Sequence, residues 1–95
     1  ITKKNIKNVY WMYCITIPSF NSLKIERLMK KLLQKGIQTR KMFIPYNLQK
    51  FIKKRKNNNC PKANKIAFNS FYLPSGVDLK EKDIRHISDC LNKMI

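Results

Sequence analysis

The sequence is poor in the residue types on which several kinds of active site depend. Its 95 residues include five acidic residues, one histidine and two glycines. A pair of catalytic carboxylates, a nucleophile supported by histidine and a glycine-rich phosphate-binding loop need these residues at set spacings, and no such spacing occurs. The chain therefore gives no indication of a catalytic centre of its own.

Cysteine is scarce as well. Cys14, Cys60 and Cys90 are odd in number and far apart, so they do not make the regular pattern of a disulfide framework. A structural zinc site needs four ligands at close spacings, and His86 is the only histidine that could join the cysteines. We expect three reduced thiols and no metal site.

Long apolar runs are absent too. No stretch approaches the roughly 18 apolar residues of a membrane-spanning helix, and the N-terminal residues are not followed by the apolar block of a signal peptide. We expect a cytoplasmic protein with no membrane partner. Because the chain starts at Ile1 and no processing signal precedes that residue, we interpret it as the C-terminal portion of a longer polypeptide.

Apolar and aromatic residues are abundant enough for a folded core. Hydrophobic residues make up 43% of the chain and aromatic residues 11%. Burial of this much apolar surface can offset the entropy lost on folding, which argues against disorder despite the high charge. The length fits one small domain, which we place over residues 1–95.

Positive charge dominates the composition. With 21 Lys and Arg against five Asp and Glu, the net charge is +16, which favours contact with nucleic-acid phosphates. However, Lys, Asn and Ile are enriched together, as in any AT-rich coding sequence, and only four of the basic residues are Arg. A small basic nucleic-acid-binding module therefore stays as the alternative function, with nucleic acid ranked low among the partners.

Two elements are predicted in the first third of the chain. Residues 9–17 are β-branched, aromatic or otherwise apolar, which predicts a strand with large residues on both faces that lies at or near the centre of a sheet. Apolar residues at helical spacing over 25–33 predict a helix capped by Asn21 or Ser22 and ended by Gly36.

Turn and capping signals predict five further segments. The first is a strand over 37–44 that ends at Pro45, followed by a long basic connection over 46–59 with a helical turn near 48–52. The others are a short helix from Pro61, a strand over 71–73 and a helix that starts at a capping box of Asp78 and Glu81. Their order predicts an α+β fold in which a small antiparallel or mixed sheet of about three strands is covered by helices, largely on one face.

Several short phrases occur in an order and spacing typical of one enzyme family. They are Tyr10-Trp11-Met12-Tyr13, Gly36-Ile37-Gln38-Thr39-Arg40, Phe43-Ile44-Pro45, Cys60-Pro61-Lys62-Ala63, Tyr72-Leu73-Pro74-Ser75-Gly76 and the helix from Leu79 to Ile84. Together they resemble the C-terminal domain of the DegT/DnrJ/StrS sugar aminotransferases over nearly the whole chain.

The resemblance implies the small domain of the type I aspartate-aminotransferase fold. Family members move an amino group from glutamate to a nucleotide-linked keto sugar for polysaccharide or amino-sugar biosynthesis, and they use pyridoxal phosphate. The cofactor lysine and its acid partner belong to a large domain that is absent from this chain. We therefore expect this segment alone to be inactive and to act with the large domain of the same polypeptide, within a homodimer.

Site residues follow from the same resemblance. Arg40 falls on the family's Thr-Arg arginine near the cleft, where it would pair with a carboxylate or phosphate; a structural arginine that holds the following loop is an equal alternative. Phe43, Pro45, Tyr46 and Asn47 would lie along that loop, and we take Arg40, Tyr46 and Asn47 as substrate-binding candidates. Asn47 stands where the family usually has a histidine, so an inactive truncated remnant is a further alternative.

Overall fold

The computed structural model describes residues 4–51 and 59–95. Within them, three short strands and three α-helices alternate along the chain, with one 3-10 turn between the second strand and the second helix. In chain order these are β1 (Tyr13–Thr16), α1 (Ser22–Gln34), β2 (Arg40–Lys41), the 3-10 turn (Tyr46–Leu48), α2 (Pro61–Phe68), β3 (Ser70–Leu73) and α3 (Glu81–Asn92). The strands form one antiparallel sheet, which confirms the predicted α+β fold.

The strand order is β1-β3-β2, so β3 lies at the centre and β1 at an edge. The prediction of a central first strand was therefore wrong. The predicted strand over 9–17 is also shortened to Tyr13–Thr16. The backbone of Tyr10 has a φ of 49°, in the left-handed region, and this conformation interrupts an extended run.

The second strand is shorter than the predicted 37–44. At its start, the Ile37 N–H donates to the Leu32 carbonyl oxygen, so Ile37 belongs to the exit of α1 and not to the sheet. At its other end, β3 begins at Ser70 directly after α2, which leaves residues 43–44 without a strand opposite them. Pairing is therefore confined to Arg40–Lys41.

Helix α1 has the predicted limits. The Asn21 Oδ1 accepts a hydrogen bond of 2.9 Å from the Lys24 N–H and so caps the helix N-terminus. Beyond the last turn, Gly36 has a φ of 77°, as predicted for the residue that ends this helix. The short turn that follows returns the chain to the sheet at β2.

We expect Gly36→Ala to lower the free energy of unfolding by about 1 kcal/mol, as measured by urea denaturation. A Cβ at Gly36 would meet no atom within 4 Å, so the loss comes from the left-handed backbone alone. Gly76→Ala is the matched control, because Gly76 is equally open and has no such φ. A stability loss of equal size in both variants would contradict this explanation.

Helix α3 begins at Glu81, later than predicted. The capping box of Asp78 and Glu81 was wrong, since Lys80 is the N-cap residue and its N–H donates to Asp83 Oδ2 at 3.0 Å. Helix α2 begins at Pro61, as predicted. The predicted turn over 48–52 is displaced to the 3-10 turn at Tyr46–Leu48, and residues 52–58 of the basic connection lie outside the described residues.

The hydrophobic core lies between one face of the sheet and the helices α1 and α3. Its buried members come from both helices, from β3 and from the segments next to α1: Ile17, Ile25, Leu28, Leu32, Ile37, Phe71, Ile87 and Leu91. Tyr72 follows Phe71 in β3, so its side chain lies on the sheet face opposite the core. Cys14 of β1 and Arg40 of β2 lie directly across from Tyr72 and share that face. Among the described residues, no helix has the length and apolarity that crossing a membrane requires.

Candidate functional site

A cavity of about 600 Å³ lies at the end of the sheet where β3 leaves it. One wall is the segment from Gly36 to Arg40 that enters β2, and a second is the segment from Tyr72 to Gly76 that leaves β3. The first turns of α3 close a third side. Two phrases that are more than thirty residues apart in the sequence therefore meet at one concave site of a size common for ligand pockets, roughly 300–1,000 Å³.

Arg40 is exposed and lines this cavity from the first position of β2. Two ion pairs occur in the described part of the chain, Lys41 with Glu26 and Arg85 with Glu81, each at 2.6 Å. Neither includes Arg40, so within residues 4–51 and 59–95 its guanidinium has no carboxylate partner. It is available for a carboxylate or phosphate from outside, which it can bind through two parallel hydrogen bonds.

Three titratable side chains that we had not selected from the sequence line the α3 side of the cavity. The Nε2 of His86 donates to the Lys35 carbonyl oxygen at 3.1 Å, which fixes the ring against the end of α1. Asp83 accepts the Lys80 N–H as a helix cap, and Asp78 lies on the connection before it. The periodicity of α3 placed His86 on a helix but gave no sign that this helix borders the cavity.

An aromatic cluster borders the cavity on the open face of the sheet. Trp11 and Phe43 are stacked, with ring centroids 6.4 Å apart and an interplanar angle of 27°. Phe43 also contacts Tyr72, with the two ring centroids 5.4 Å apart, and Tyr72 lines the cavity. The Ser75 hydroxyl donates to the Trp11 carbonyl oxygen at 3.2 Å, so the segment before β1 is attached to the segment after β3.

The other two predicted site residues lie elsewhere. Tyr46 and Asn47 belong to the 3-10 turn and do not line the cavity that contains Arg40. Their neighbours Pro45 and Leu48 line a second cavity of about 310 Å³ between that turn and α2. A substrate role for Tyr46 and Asn47 stays a prediction.

Cys14 lies in the same row of the sheet as Tyr72 and Arg40. Although the residue as a whole is exposed, partial burial raises the pKa of the Cys14 thiol, while the neighbouring Ser70 and Thr16 hydroxyls act in the opposite direction. The net effect favours the neutral thiol, which is the less nucleophilic form. Cys14 is therefore not an activated nucleophile of this site.

The described residues do not fit the covalent attachment of a pyridoxal cofactor. A Schiff-base lysine needs a partly desolvated position, yet every lysine in residues 4–51 and 59–95 is exposed and none lines the sheet-end cavity. The same part of the chain contains no cluster of three or more histidine, cysteine or acidic side chains that could hold a metal ion. The arrangement is suited to binding an anionic ligand and not to chemistry on a cofactor of its own.

Comparison with known proteins agrees with the resemblance seen in the sequence. A family model described as the DegT/DnrJ/EryC1/StrS aminotransferase family matches residues 1–92, whereas a search of curated proteins found no match. Enzymes of that family are aminotransferases and generally depend on pyridoxal phosphate. Because the match includes both segments that meet at the cavity and nearly all of the sequence, this chain belongs to the DegT/DnrJ/EryC1/StrS aminotransferase family.

Proposed function

We propose that this chain is the small domain of a cytoplasmic aminotransferase that moves an amino group from glutamate to a nucleotide-linked keto sugar. In this proposal a large domain of the same polypeptide holds pyridoxal phosphate, and the enzyme works as a homodimer. The observation that carries the proposal is the cavity at the end of the sheet, where the two family segments meet and where Arg40 has no carboxylate partner among residues 4–51 and 59–95.

Arg40 has the chemistry that an anionic substrate requires. A guanidinium binds a phosphate or carboxylate with two N–H groups at once. When the large domain contributes the cofactor, the cofactor supplies the carbanion chemistry. The residues of this chain would bind and orient the acceptor, which explains why the described part needs no buried lysine.

An apolar groove supports the presence of a further domain. It measures about 440 Å³ and lies between β1 and α3, lined by Tyr10, Tyr13, Ile15 and Ile84 among others. Tyr10, Tyr13 and Ile84 are all more than half exposed, and so is Val9 beside them. Contiguous apolar surface of this kind marks a binding surface, and we propose that the large domain packs here.

The test is to isolate the native polypeptide from its source with an antibody raised against residues 1–95, reduce it with borohydride and map the modified lysine by mass spectrometry. Reduction converts a Schiff base to a stable pyridoxyl-lysine. We expect that lysine in a peptide outside residues 1–95, in a polypeptide several times heavier than 11.3 kDa. A native mass near 11.3 kDa without a pyridoxyl group would overturn the proposal and favour a truncated remnant.

The isolated 95-residue chain provides the matching control. Mixed with pyridoxal phosphate and desalted, it should keep no cofactor absorbance and should not consume glutamate, because the lysines of its described part are exposed and the attachment site is proposed to lie elsewhere. A cofactor band that survives desalting would show that this segment contains the attachment site.

A further inference from the structure

The most conspicuous surface outside the cavity is the stacked pair of Trp11 and Phe43. Their side chains are 72% and 61% exposed, although each is large and apolar. Exposed aromatic faces are sites where planar rings bind by stacking, and stacking on aromatic side chains is how proteins hold nucleobases without reading their edges. Two nearly parallel rings on an open sheet face, each more than half exposed, suit a planar aromatic ligand.

The backbone holds this pair in position before any ligand binds. Tyr10 has a φ of 49°, which costs free energy for a residue that is not glycine, and its N–H donates to Asn8 Oδ1 at 2.9 Å. The Ser75–Trp11 hydrogen bond fixes the next residue. On the other side, Phe43 rests on the buried ring of Tyr72. A ligand would therefore meet a largely pre-ordered surface.

An anion site adjoins the aromatic pair. Arg40 lies directly across from Tyr72 in the β2–β3 ladder, and Tyr72 both lines the cavity and contacts Phe43. The two acidic groups of the cavity, Asp78 and Asp83, lie on its α3 side. A phosphate is therefore favoured at the Arg40 side, next to the rings, and hydroxyl groups are favoured near the carboxylates.

We propose that Trp11, Phe43 and Arg40 form the subsite for the nucleoside diphosphate part of the amino acceptor. The base stacks on the Trp11–Phe43 pair, and the Arg40 guanidinium binds the diphosphate at the mouth of the cavity. This assignment rests on the proposed function for the choice of a nucleotide. The structure itself supplies the aromatic pair and, beside it, a guanidinium with no carboxylate partner in the described part of the chain.

The test is a fluorescence titration of the 95-residue chain with uridine diphosphate. Trp11 is the only tryptophan, so the emission reports on this surface alone. We expect saturable quenching, because a base stacked on the indole quenches it. Uridine, titrated directly, and pyrophosphate, measured by its displacement of uridine diphosphate, should each bind at least tenfold more weakly, since each engages half of the subsite. Either one binding as tightly as the whole nucleotide would overturn the two-part assignment.

Matched substitutions separate the two halves. Arg40→Ala should weaken binding of uridine diphosphate about tenfold or more. Arg40→Lys should weaken it less, because lysine keeps the positive charge but lacks the planar guanidinium that donates two parallel hydrogen bonds. Phe43→Leu should weaken it about fivefold. The controls are Arg85→Ala, which removes an exposed arginine paired with Glu81, and Phe51→Leu, which removes an exposed phenylalanine; neither should change binding. Equal losses in variants and controls would overturn the assignment.

A titration with an oligouridylate tests the competing class of ligand. Binding far tighter than that of uridine diphosphate, with an affinity that falls steeply with salt, would replace the nucleotide subsite with a surface for single-stranded nucleic acid. No quenching by uridine diphosphate would overturn the subsite but leave the aminotransferase proposal intact, because the pyridoxyl-lysine experiment does not depend on Trp11 or Arg40. Conversely, binding of uridine diphosphate to a native polypeptide that yields no pyridoxyl-lysine would support the nucleotide subsite and overturn the aminotransferase proposal.

Discussion

Phe71→Ala should lower the free energy of unfolding by about 4 kcal/mol, the largest stability loss that we expect from one substitution. Phe71 is fully buried at the centre of β3 and belongs to the core formed with α1 and α3. Removing its ring loses the transfer free energy of the side chain and leaves a cavity between a sheet and two helices. A domain of this length has a total stability of roughly 5–14 kcal/mol, so much of it would be lost.

Urea denaturation followed by far-ultraviolet circular dichroism measures this effect. Phe51→Ala is the control, because Phe51 is 81% exposed, and we expect a change below about 0.5 kcal/mol there. If Phe71→Ala does not fold at all, Phe71→Leu keeps most of the volume and should cost about 1–1.5 kcal/mol. A loss below about 1 kcal/mol for Phe71→Ala would mean that the core does not lie where the structure places it.

In the proposed aminotransferase, Arg40→Ala should reduce kcat/KM for the amino acceptor about 100-fold. A 100-fold loss corresponds to about 2.7 kcal/mol, close to the lower limit for losing two charge-assisted hydrogen bonds to a phosphate, which are worth about 1.5–3 kcal/mol each. Because the diphosphate of the proposed acceptor would not change during the reaction, we expect most of the effect in KM and little in kcat. The kinetics of the glutamate half-reaction should stay the same.

Two further variants make the Arg40 result specific. Arg40→Lys should recover part of the affinity, as a point charge without the planar fork. Arg85→Ala should leave the kinetics unchanged, since Arg85 lies on α3 and pairs with Glu81. If Arg40 only held the loop after β2, Arg40→Ala would lower the stability of the domain and would affect both half-reactions alike, and the substrate role would be wrong.

The elements of this fold could be predicted because their signals are local. Asn21, Gly36 and Pro61 mark helix ends through their own backbone and side-chain chemistry, and each is found at the predicted end. The strand order could not be predicted in the same way. Residues 9–17 have the composition of a buried strand, but their position depends on which strand pairs with which, and the unusual backbone of Tyr10 has no signature in the sequence.

The apolar stripes of α1 and α3 include residues that the core does not cover. Leu33 continues the apolar stripe of α1 and Ile84 begins that of α3, yet both are more than half exposed. In α1 the buried residues are Ile25, Leu28 and Leu32, and in α3 they are Ile87 and Leu91, so each helix buries only part of its apolar stripe. Periodicity indicates which residues share a helix face but not how much of that face a neighbour covers.

The candidate site was only partly accessible from the sequence. Arg40 was selected because it belongs to a family phrase, and it does line the cavity. Trp11 and His86 reach the site through contacts between segments far apart in the chain, Trp11 through Ser75 and His86 through the end of α1. No spacing rule connects such residues, and only the folded chain brings them together.

The central position of β3 also determines when the sheet can form. Thr16 of β1 and Ser70 of β3 share a hydrogen bond of 2.9 Å across a sequence separation of 54 residues. Closing a loop of that length costs about 3.5 kcal/mol of chain entropy, and contacts of high sequence separation form slowly. During synthesis, β1 therefore has no partner until α1, β2 and α2 have left the ribosome. Until then Ile15 of β1, which packs against the core in the folded domain, stays uncovered, and transiently exposed apolar surface of this kind favours chaperone binding.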